Sequence, residues 1–217
     1  MHHKRLTATI LVLLGILIFS GSGNLVIAQD GGTIERVSVA SNGTPADEDS
    51  TEPVISANGR YVAFVSNAHN LVVPDANDWF DSDIYVHDRT TRQTVLVSVS
   101  TSGIQGNNSS YSPSISGDGR FVAFSSDADN LVSNDVNYRR DCFLHDRDTD
   151  EDGIFDEPGA VSTVLVSVSS SGVQGNYDCD DPEISADGRY VAFGSAASNL
   201  IPNDNNGAWD IFVHDRI

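Results

Sequence analysis

One short segment occurs three times in this chain, and this repetition constrains the fold more than any other feature. The copies begin at Pro53, Pro113 and Pro182, and each reads Ile-Ser-x-Asn/Asp-Gly-Arg-Tyr/Phe-Val-Ala-Phe from its third residue onwards. Self-similar segments in a fixed order are the signature of repeat architectures, in which each copy builds one supersecondary unit. The fold is therefore expected to be a series of equivalent units.

Two further blocks recur between these copies. A His-Asp-Arg block starts at Asp83, Asp141 and Asp210, and a Val-Ser-Val block covers residues 36–39, 96–99 and 165–168. All the blocks are rich in β-branched and aromatic residues and are bounded by Gly, Asp, Asn or Pro, which is typical of short strands. No useful window has helical periodicity.

Each copy therefore predicts four antiparallel strands. Strand a is the Pro-x-Ile-Ser piece, and an Asn-Gly or Asp-Gly turn of the hairpin type leads to strand b. Strand c is the His-Asp-Arg block and strand d the Val-Ser-Val block. Four-stranded antiparallel sheets in series are blades of a β-propeller. The predicted fold class is all-β, with three blades at about 53–100, 113–169 and 182–217.

The predicted ring is incomplete. The segment 33–39 has the pattern of a strand d and could complete the last blade, but three blades are fewer than the usual four to eight. The chain could be a truncated piece of a longer propeller, half of a two-chain, six-bladed ring, or an open arc, and we favour truncation. Unpaired strand edges on an open arc would invite self-association.

The run at residues 187–193, Asp-Gly-Arg-Tyr-Val-Ala-Phe, followed by Asp-Ile-Phe-Val-His-Asp-Arg at 210–216, resembles the TolB-type propeller repeat of exported bacterial proteins. The resemblance covers residues 33–217. It implies a propeller fold that serves as a binding platform or accessory domain, with partners that vary among members.

The first 28 residues have the pattern of a secretory signal peptide. A basic start with Lys4 and Arg5 precedes an apolar run from Leu6 to Phe19, and small residues lead to Ala28. This order predicts export and cleavage, leaving residues 29–217 as the mature chain. The alternative is an uncleaved anchor, which would be the only membrane contact. Both place the chain outside the cytoplasm, secreted or periplasmic.

The chain is strongly acidic. It contains 31 acidic and 12 basic residues, for a net charge of −19. Removing residues 1–28 leaves 10 basic residues and a net charge of −21. Such a surface repels nucleic-acid phosphates and anionic lipid, so no nucleic-acid partner is expected. It attracts divalent cations and basic partners, and it also keeps a protein soluble.

An insertion after the second His-Asp-Arg block contains the start of a calcium loop. Asp148, Asp150 and Asp152 alternate before a glycine, with the carbonyl of Ile154 and the carboxylate of Asp156 as further candidate ligands. Alternate carboxylates in a curled loop suit a hard cation. The twelfth loop position is Gly rather than Glu, and flanking helices are not expected. The loop is thus either a free-standing calcium site or a solvated acidic hairpin tip; no other cofactor is expected.

The two cysteines are expected to form a disulfide. In up-and-down blades the b–c and d–a loops emerge at one end, which places Cys142 beside Cys179. An oxidising compartment permits the bond, which would join two blades and stabilise the fold by about 3 kcal/mol.

The same loops contain five aromatic residues outside the repeated strands: Trp79, Phe80, Tyr138, Tyr177 and Trp209. Aromatic residues in loops on a rigid scaffold are common contact points. Alternatively they cover the ends of the blades as a hydrophobic plug. On the first of these two interpretations, the five residues form the candidate binding face.

Catalysis is not expected. His87, His145 and His214 occupy one repeat position, which indicates a structural role between strands, and the Asp and Arg after each are expected to form ion pairs. Loop asparagines such as Asn70 are expected to cap turns. No nucleophile elbow, zinc motif or phosphate loop is present. The sequence predicts an exported, non-catalytic binding or scaffold module, with a protein or ligand partner or self-association. The alternative is an accessory propeller domain of an extracytoplasmic hydrolase.

Overall fold

The computed structural model describes residues 32–76 and 81–217. The chain separates into residues 1–35 and 36–217, and every strand lies in the second unit. The predicted signal peptide and two of the loop aromatics, Trp79 and Phe80, lie outside the described residues.

Among the described residues, eleven strands form three antiparallel sheets and there is no helix, so the predicted all-β class is confirmed. Each sheet is a simple meander of neighbouring strands, and each corresponds to one repeat. The bounds of sheet 1 are β1 Ser50–Ile55, β2 Tyr61–Ser66, β3 Asp83–Asp88 and β4 Thr94–Leu96. Those of sheet 2 are β5 Ser110–Ile115, β6 Phe121–Ser126, β7 Asp141–Asp146 and β8 Ser162–Leu165. Those of sheet 3 are β9 Cys179–Ile184, β10 Tyr190–Ser195 and β11 Asp210–Asp215.

Within residues 32–76 and 81–217, sheet 3 has three strands rather than four, and the sheets do not close a ring. The end of the predicted closing strand lies at sheet 1 instead. Thr94 Oγ1 donates a hydrogen bond to the Val39 carbonyl oxygen, and Ser41 Oγ donates to the Thr94 carbonyl oxygen at 3.3 Å. Residues 36–39 therefore do not complete sheet 3 within this chain.

The first strand of each sheet and the fourth strands of sheets 1 and 2 differ from the predicted blocks. The first strands start earlier and contain a register shift, where Glu52, Ser112 and Asp181 have positive φ angles of 50°, 49° and 51°. β4 and β8 end at the first residue of the Val-Ser-Val block, although the next residue, Val97 or Val166, still donates its backbone N–H to the third strand at 2.9 Å. In sheet 1 the Ser98 hydroxyl accepts from the Ile84 backbone N–H at 3.2 Å.

The sheets pack on each other through alternate residues of their central strands. Tyr61, Ala63 and Val65 of β2 belong to the core between sheets 1 and 2, together with Phe124 and Phe143. A second core lies between sheets 2 and 3. Ala63 is fully buried, in line with the expectation that a small residue lets the sheets approach.

The turn glycines of sheets 2 and 3 each contact an aromatic ring of the preceding sheet. A Cβ added to Gly119 would lie 2.2 Å from Cδ2 of Tyr61, and one added to Gly188 would lie 2.4 Å from Cδ2 of Phe121. Both glycines also have positive φ, which favours glycine. The turn glycines are therefore required both by the hairpin and by the packing of successive sheets.

Candidate functional site

The b–c loops and the d–a loops meet at one end of the sheets, as the topology predicts. Asn130 Nδ2 donates to the Gln105 carbonyl oxygen at 2.9 Å, and Asn130 Oδ1 accepts from the Asn107 backbone N–H at 3.0 Å. The same carbonyl contact recurs in the other repeats, from Asn70 to Pro45 and from Asn199 to Gln174. The repeated asparagines thus join each b–c loop to the preceding d–a loop by hydrogen bonds, which is a structural role.

A buried polar network beneath these loops was not foreseen from the sequence. Gln174 Nε2 donates to the carboxylates of Asp141 and Asp135, each at 2.8 Å, and Ser167 Oγ donates to Asp141 at 2.6 Å. Burial raises the pKa of Asp141 to about 6, against the opposing effect of the Ser167 and Gln174 hydrogen bonds. Sheet 1 contains the same network, formed by Asp83, Asp75, Ser98 and Gln105.

The aromatic residues lie on the solvent side of this network. Tyr138 is 86% exposed, Tyr177 43% and Trp209 51%. The Arg139 guanidinium lies 4.7 Å from the centre of the Tyr177 ring, so the b–c loop of sheet 2 is joined to the following d–a loop. Trp209 precedes β11 and lies beside Gly194 instead, on the side of β10 that also carries Tyr190. We call the surface formed by Tyr138, Arg139 and Tyr177 the loop face.

The insertion after β7 brings three of the five predicted calcium ligands together. Carboxylate oxygens of Asp148, Asp150 and Asp152 lie within 4.8 Å of one another. Asp148 is buried and accepts from the backbone N–H groups of Asp152 and Gly153 at 3.2 and 3.1 Å. Desolvation and the neighbouring Asp152 carboxylate raise the pKa of Asp150. Ligand oxygens of this kind suit a hard divalent cation.

The other two predicted ligands have different surroundings. The Asp156 carboxylate forms an ion pair with Arg147, whose Nε lies 2.9 Å from Oδ1, and does not belong to the carboxylate cluster. Ile154 donates its backbone N–H to Asp152 Oδ1 at 2.8 Å. Asp156 is therefore paired with the buried arginine that precedes the insertion.

Arg147 is the centre of the packing around this insertion. It is 2% exposed, and its Nη1 donates to the Gly119 carbonyl oxygen at 2.8 Å. Its guanidinium lies 4.9 Å from the Tyr61 ring centre and 5.0 Å from that of Phe155. Tyr61 and Phe155 are themselves in contact, with ring centres 5.3 Å apart. The insertion of sheet 2 is thus anchored on sheet 1.

The predicted disulfide between Cys142 and Cys179 is present, with a Cα–Cα distance of 5.5 Å. Cys142 is in β7 and Cys179 starts β9, so the bond joins sheets 2 and 3. Both residues are fully buried in the core between these sheets.

Two of the three repeated histidines, His87 and His145, make the expected hydrogen bonds between strands. His145 Nδ1 lies 2.9 Å from Thr163 Oγ1, and His87 Nδ1 lies 2.8 Å from Thr94 Oγ1. Because Thr163 donates its own proton to the Val99 carbonyl oxygen, the imidazole is the donor to Thr163. Burial lowers the pKa of His145 to about 4, so this ring is neutral at physiological pH.

Contrary to the prediction, the aspartate after each repeated histidine does not form its ion pair with the arginine that follows it. Asp88 pairs with Arg60 at 2.7 Å, because the antiparallel register places Tyr61 opposite Asp88 and so brings Arg60 alongside. The equivalent pairs are Arg120–Asp146 at 2.8 Å and Arg189–Asp215 at 2.7 Å. The arginine after each Asp instead donates to the carbonyl of the turn glycine.

These features define the class: an all-β protein built of propeller-type blades. No family model and no curated protein matches the sequence. Solved structures similar to this chain include TolB from Acinetobacter baumannii, with 16% identity and a TM-score of 0.42 over 78% of this chain and 30% of that one. They also include the tricorn protease, with 15% identity and a TM-score of 0.44 over 70% of this chain and 16% of that one. The β-propeller domain of the Trilobed protease from Pyrococcus furiosus has 12% identity and a TM-score of 0.37 over 78% and 43%. The chain thus spans less than half the length of each.

Residues 32–76 and 81–217 contain no helix with the length and apolar character needed to cross a bilayer.

Proposed function

We propose that this chain is an exported, non-catalytic binding module that contacts a protein or ligand partner through its loop face. The observation that carries the proposal is the exposure of Tyr138, of which 86% is open to solvent, on a loop that is fixed from below. Large exposed aromatic side chains supply contact area at low entropic cost. They are the most frequent energetic anchors of interfaces.

The base of the loop face is ordered before any partner binds. Asn137 Nδ2 donates to the Asp141 carboxylate and to the Gly175 carbonyl oxygen, both at 2.9 Å. The backbone N–H of Val136 donates to the side-chain oxygen of Gln174 at 3.2 Å. A loop held in this way loses little freedom on binding, and preorganisation of this kind increases affinity.

The charge of the chain favours a basic partner. The chain has 31 acidic and 12 basic residues, and complementary charge mainly increases the rate and selectivity of association. A non-catalytic role is supported by the use of the repeated histidines and Asp-Arg motifs within the sheets. Export is supported by the signal-peptide pattern and by the Cys142–Cys179 disulfide, which suits an oxidising compartment.

The loop face can be tested by photocrosslinking in the native envelope. A photoreactive phenylalanine analogue replaces Tyr138 in one protein and Ile154 in another; Ile154 is 56% exposed but lies in the insertion after β7, at the opposite end of this strand from the b–c loop. We expect a discrete crosslinked product from position 138 and none from position 154. Equal products from both positions, or none from position 138, would refute the proposed face.

Once the partner is captured, the Tyr138→Ser variant measures the contribution of the anchor. We expect an affinity about 30-fold lower, which corresponds to about 2 kcal/mol for the loss of an aromatic anchor. Because Tyr138 contacts solvent, thermal unfolding of the variant should match that of the unchanged protein.

We also propose that Asp148, Asp150 and Asp152 bind calcium, an inference that rests on the convergence of their carboxylates. Isothermal titration with calcium chloride should give binding with a dissociation constant of about 10⁻⁴ to 10⁻³ M, the range of extracellular sites. Asp150→Asn should weaken binding at least tenfold, since it removes one charged ligand. Glu48→Gln, which removes an exposed acid elsewhere, should leave it unchanged. Absence of heat at millimolar calcium would contradict the proposal.

A further inference from the structure

The outer face of sheet 3 exposes apolar side chains that belong to the strands rather than to loops. Tyr190 of β10 is 38% exposed, and Ile211 and Val213 of β11 are 78% and 64% exposed. β11 alternates between partly buried and exposed residues, whereas β3 and β7 are buried throughout. The exposed side chains therefore share one face of the sheet.

The equivalent residues of sheets 1 and 2 are covered by the next sheet. At the position of Tyr190, Tyr61 and Phe121 are only 5% and 7% exposed. At the positions of Ile211 and Val213, the four equivalent residues are at most 1% exposed: Ile84, Val86, Cys142 and Leu144. Sheet 3 thus carries the same face as its neighbours, but among the described residues no sheet covers it.

Polar groups at the start of β11 repeat the pattern too, on the side of the strand opposite to Ile211 and Val213. In sheets 1 and 2 an aspartate at the start of the third strand accepts from a serine and a glutamine that follow the fourth strand. Asp210 occupies that position in sheet 3, and its Oδ2 accepts from Asn206 Nδ2 at 2.8 Å. The serine and glutamine would have to come from a segment outside sheet 3.

The outer face of sheet 1 carries the complementary features. Gly59 has positive φ, and Arg89 donates to its carbonyl oxygen, as Arg147 does to Gly119 and Arg216 to Gly188. In the latter two cases this glycine–arginine pair contacts the aromatic ring of the preceding sheet. Pro53 of sheet 1 is exposed, whereas the equivalent Pro113 and Pro182 are buried.

We propose that the outer face of sheet 3 binds the outer face of sheet 1 of a second copy of this chain. The contact repeats those between sheets 1 and 2 and between sheets 2 and 3: Tyr190 packs on Gly59 beside Arg89, and Ser38 reaches Asp210. Such a head-to-tail interface closes if the rotation allows it. Two copies contribute six sheets, within the range of four to eight found in propellers.

One position of the second copy differs from the internal contacts. Ser38 matches Ser98 and Ser167, but Pro45 stands where Gln105 and Gln174 supply their amides. Pro45 has no side-chain donor, so the association between copies is weaker than that of the internal sheets. The Pro45→Gln variant restores the amide and should lower the dissociation constant about tenfold, as expected for a hydrogen bond to a charged group.

Sedimentation equilibrium over a concentration series tests the proposal. The unchanged protein should reach twice the mass of one chain. Val213→Lys on sheet 3 and Pro53→Lys on sheet 1 should each prevent this, whereas Ile104→Lys should not, because Ile104 is 60% exposed on a loop between sheets 1 and 2. An equimolar mixture of the two disruptive variants should regain the doubled mass. In the mixed dimer, the unchanged sheet 3 of the Pro53→Lys chain can bind the unchanged sheet 1 of the Val213→Lys chain.

Folding of every variant is checked by its thermal unfolding transition, so that loss of association is not loss of fold. A single-chain mass at all concentrations would overturn the proposal. Association that survives both disruptive variants would also overturn it, as would failure of the mixture to recover the doubled mass.

Discussion

Replacing Arg147 by alanine is expected to lower the free energy of unfolding by about 3–5 kcal/mol, the cost of removing one partner from a buried ion pair. The side chain is 2% exposed, and its loss leaves the Asp156 carboxylate and the Gly119 carbonyl oxygen without their donor. It also removes the guanidinium from between Tyr61 and Phe155. Urea denaturation followed by circular dichroism measures the change.

Arg89 is the matched control for this substitution. It occupies the same repeat position in sheet 1 and donates to the Gly59 carbonyl oxygen, but it is exposed. Arg89→Ala should cost at most about 1 kcal/mol, since exposed charged contacts contribute little. Equal losses from the two variants would show that the burial of Arg147 between sheets is not what stabilises the insertion.

Removal of the Cys142–Cys179 disulfide is the second large expected effect. Replacing both cysteines by alanine should lower the free energy of unfolding by about 2–4 kcal/mol, because the bond restricts the unfolded chain. Both residues are fully buried, so the variant also loses some packing. The measurement is urea denaturation of both proteins with and without reductant.

Reductant serves as the internal control for the disulfide. It should shift the denaturation midpoint of the unchanged protein towards that of the double-alanine variant and leave the variant itself unaffected. A midpoint of the unchanged protein that does not respond to reductant under unfolding conditions would contradict a stabilising cystine between sheets 2 and 3.

The fold could be predicted from the sequence because turns and strands depend on short local segments, and these segments occur three times in the chain. Turn dipeptides such as Asn58-Gly59 fix hairpins, and the β-branched and aromatic runs on either side fix strands. Topology then placed the b–c and d–a loops together and so predicted the cysteine pair. The repeated position of His87 and His145 correctly indicated hydrogen bonding between strands.

The partners of individual side chains could not be predicted in the same way, because they depend on register and on contacts between sheets. Arg89 follows Asp88 in the sequence, but Asp88 forms its ion pair with Arg60, because the register of β2 and β3 brings these two side chains together. Asp156 has the spacing of a metal ligand, yet it pairs with Arg147. Gln174 reaches Asp141 from a separate loop, although the recurrence of Ser and Gln after each fourth strand was a usable signal.

The central claim is that the repeated segments form separate sheets stacked so that an aromatic ring of one lies on the turn glycine of the next. Nuclear Overhauser effects in solution test this contact directly. We predict cross-peaks from the Tyr61 ring to the Gly119 Hα protons and from the Phe121 ring to those of Gly188, since these groups are in contact. Absence of both cross-peaks, with connectivities that instead pair strands of different repeats in one sheet, would contradict the account.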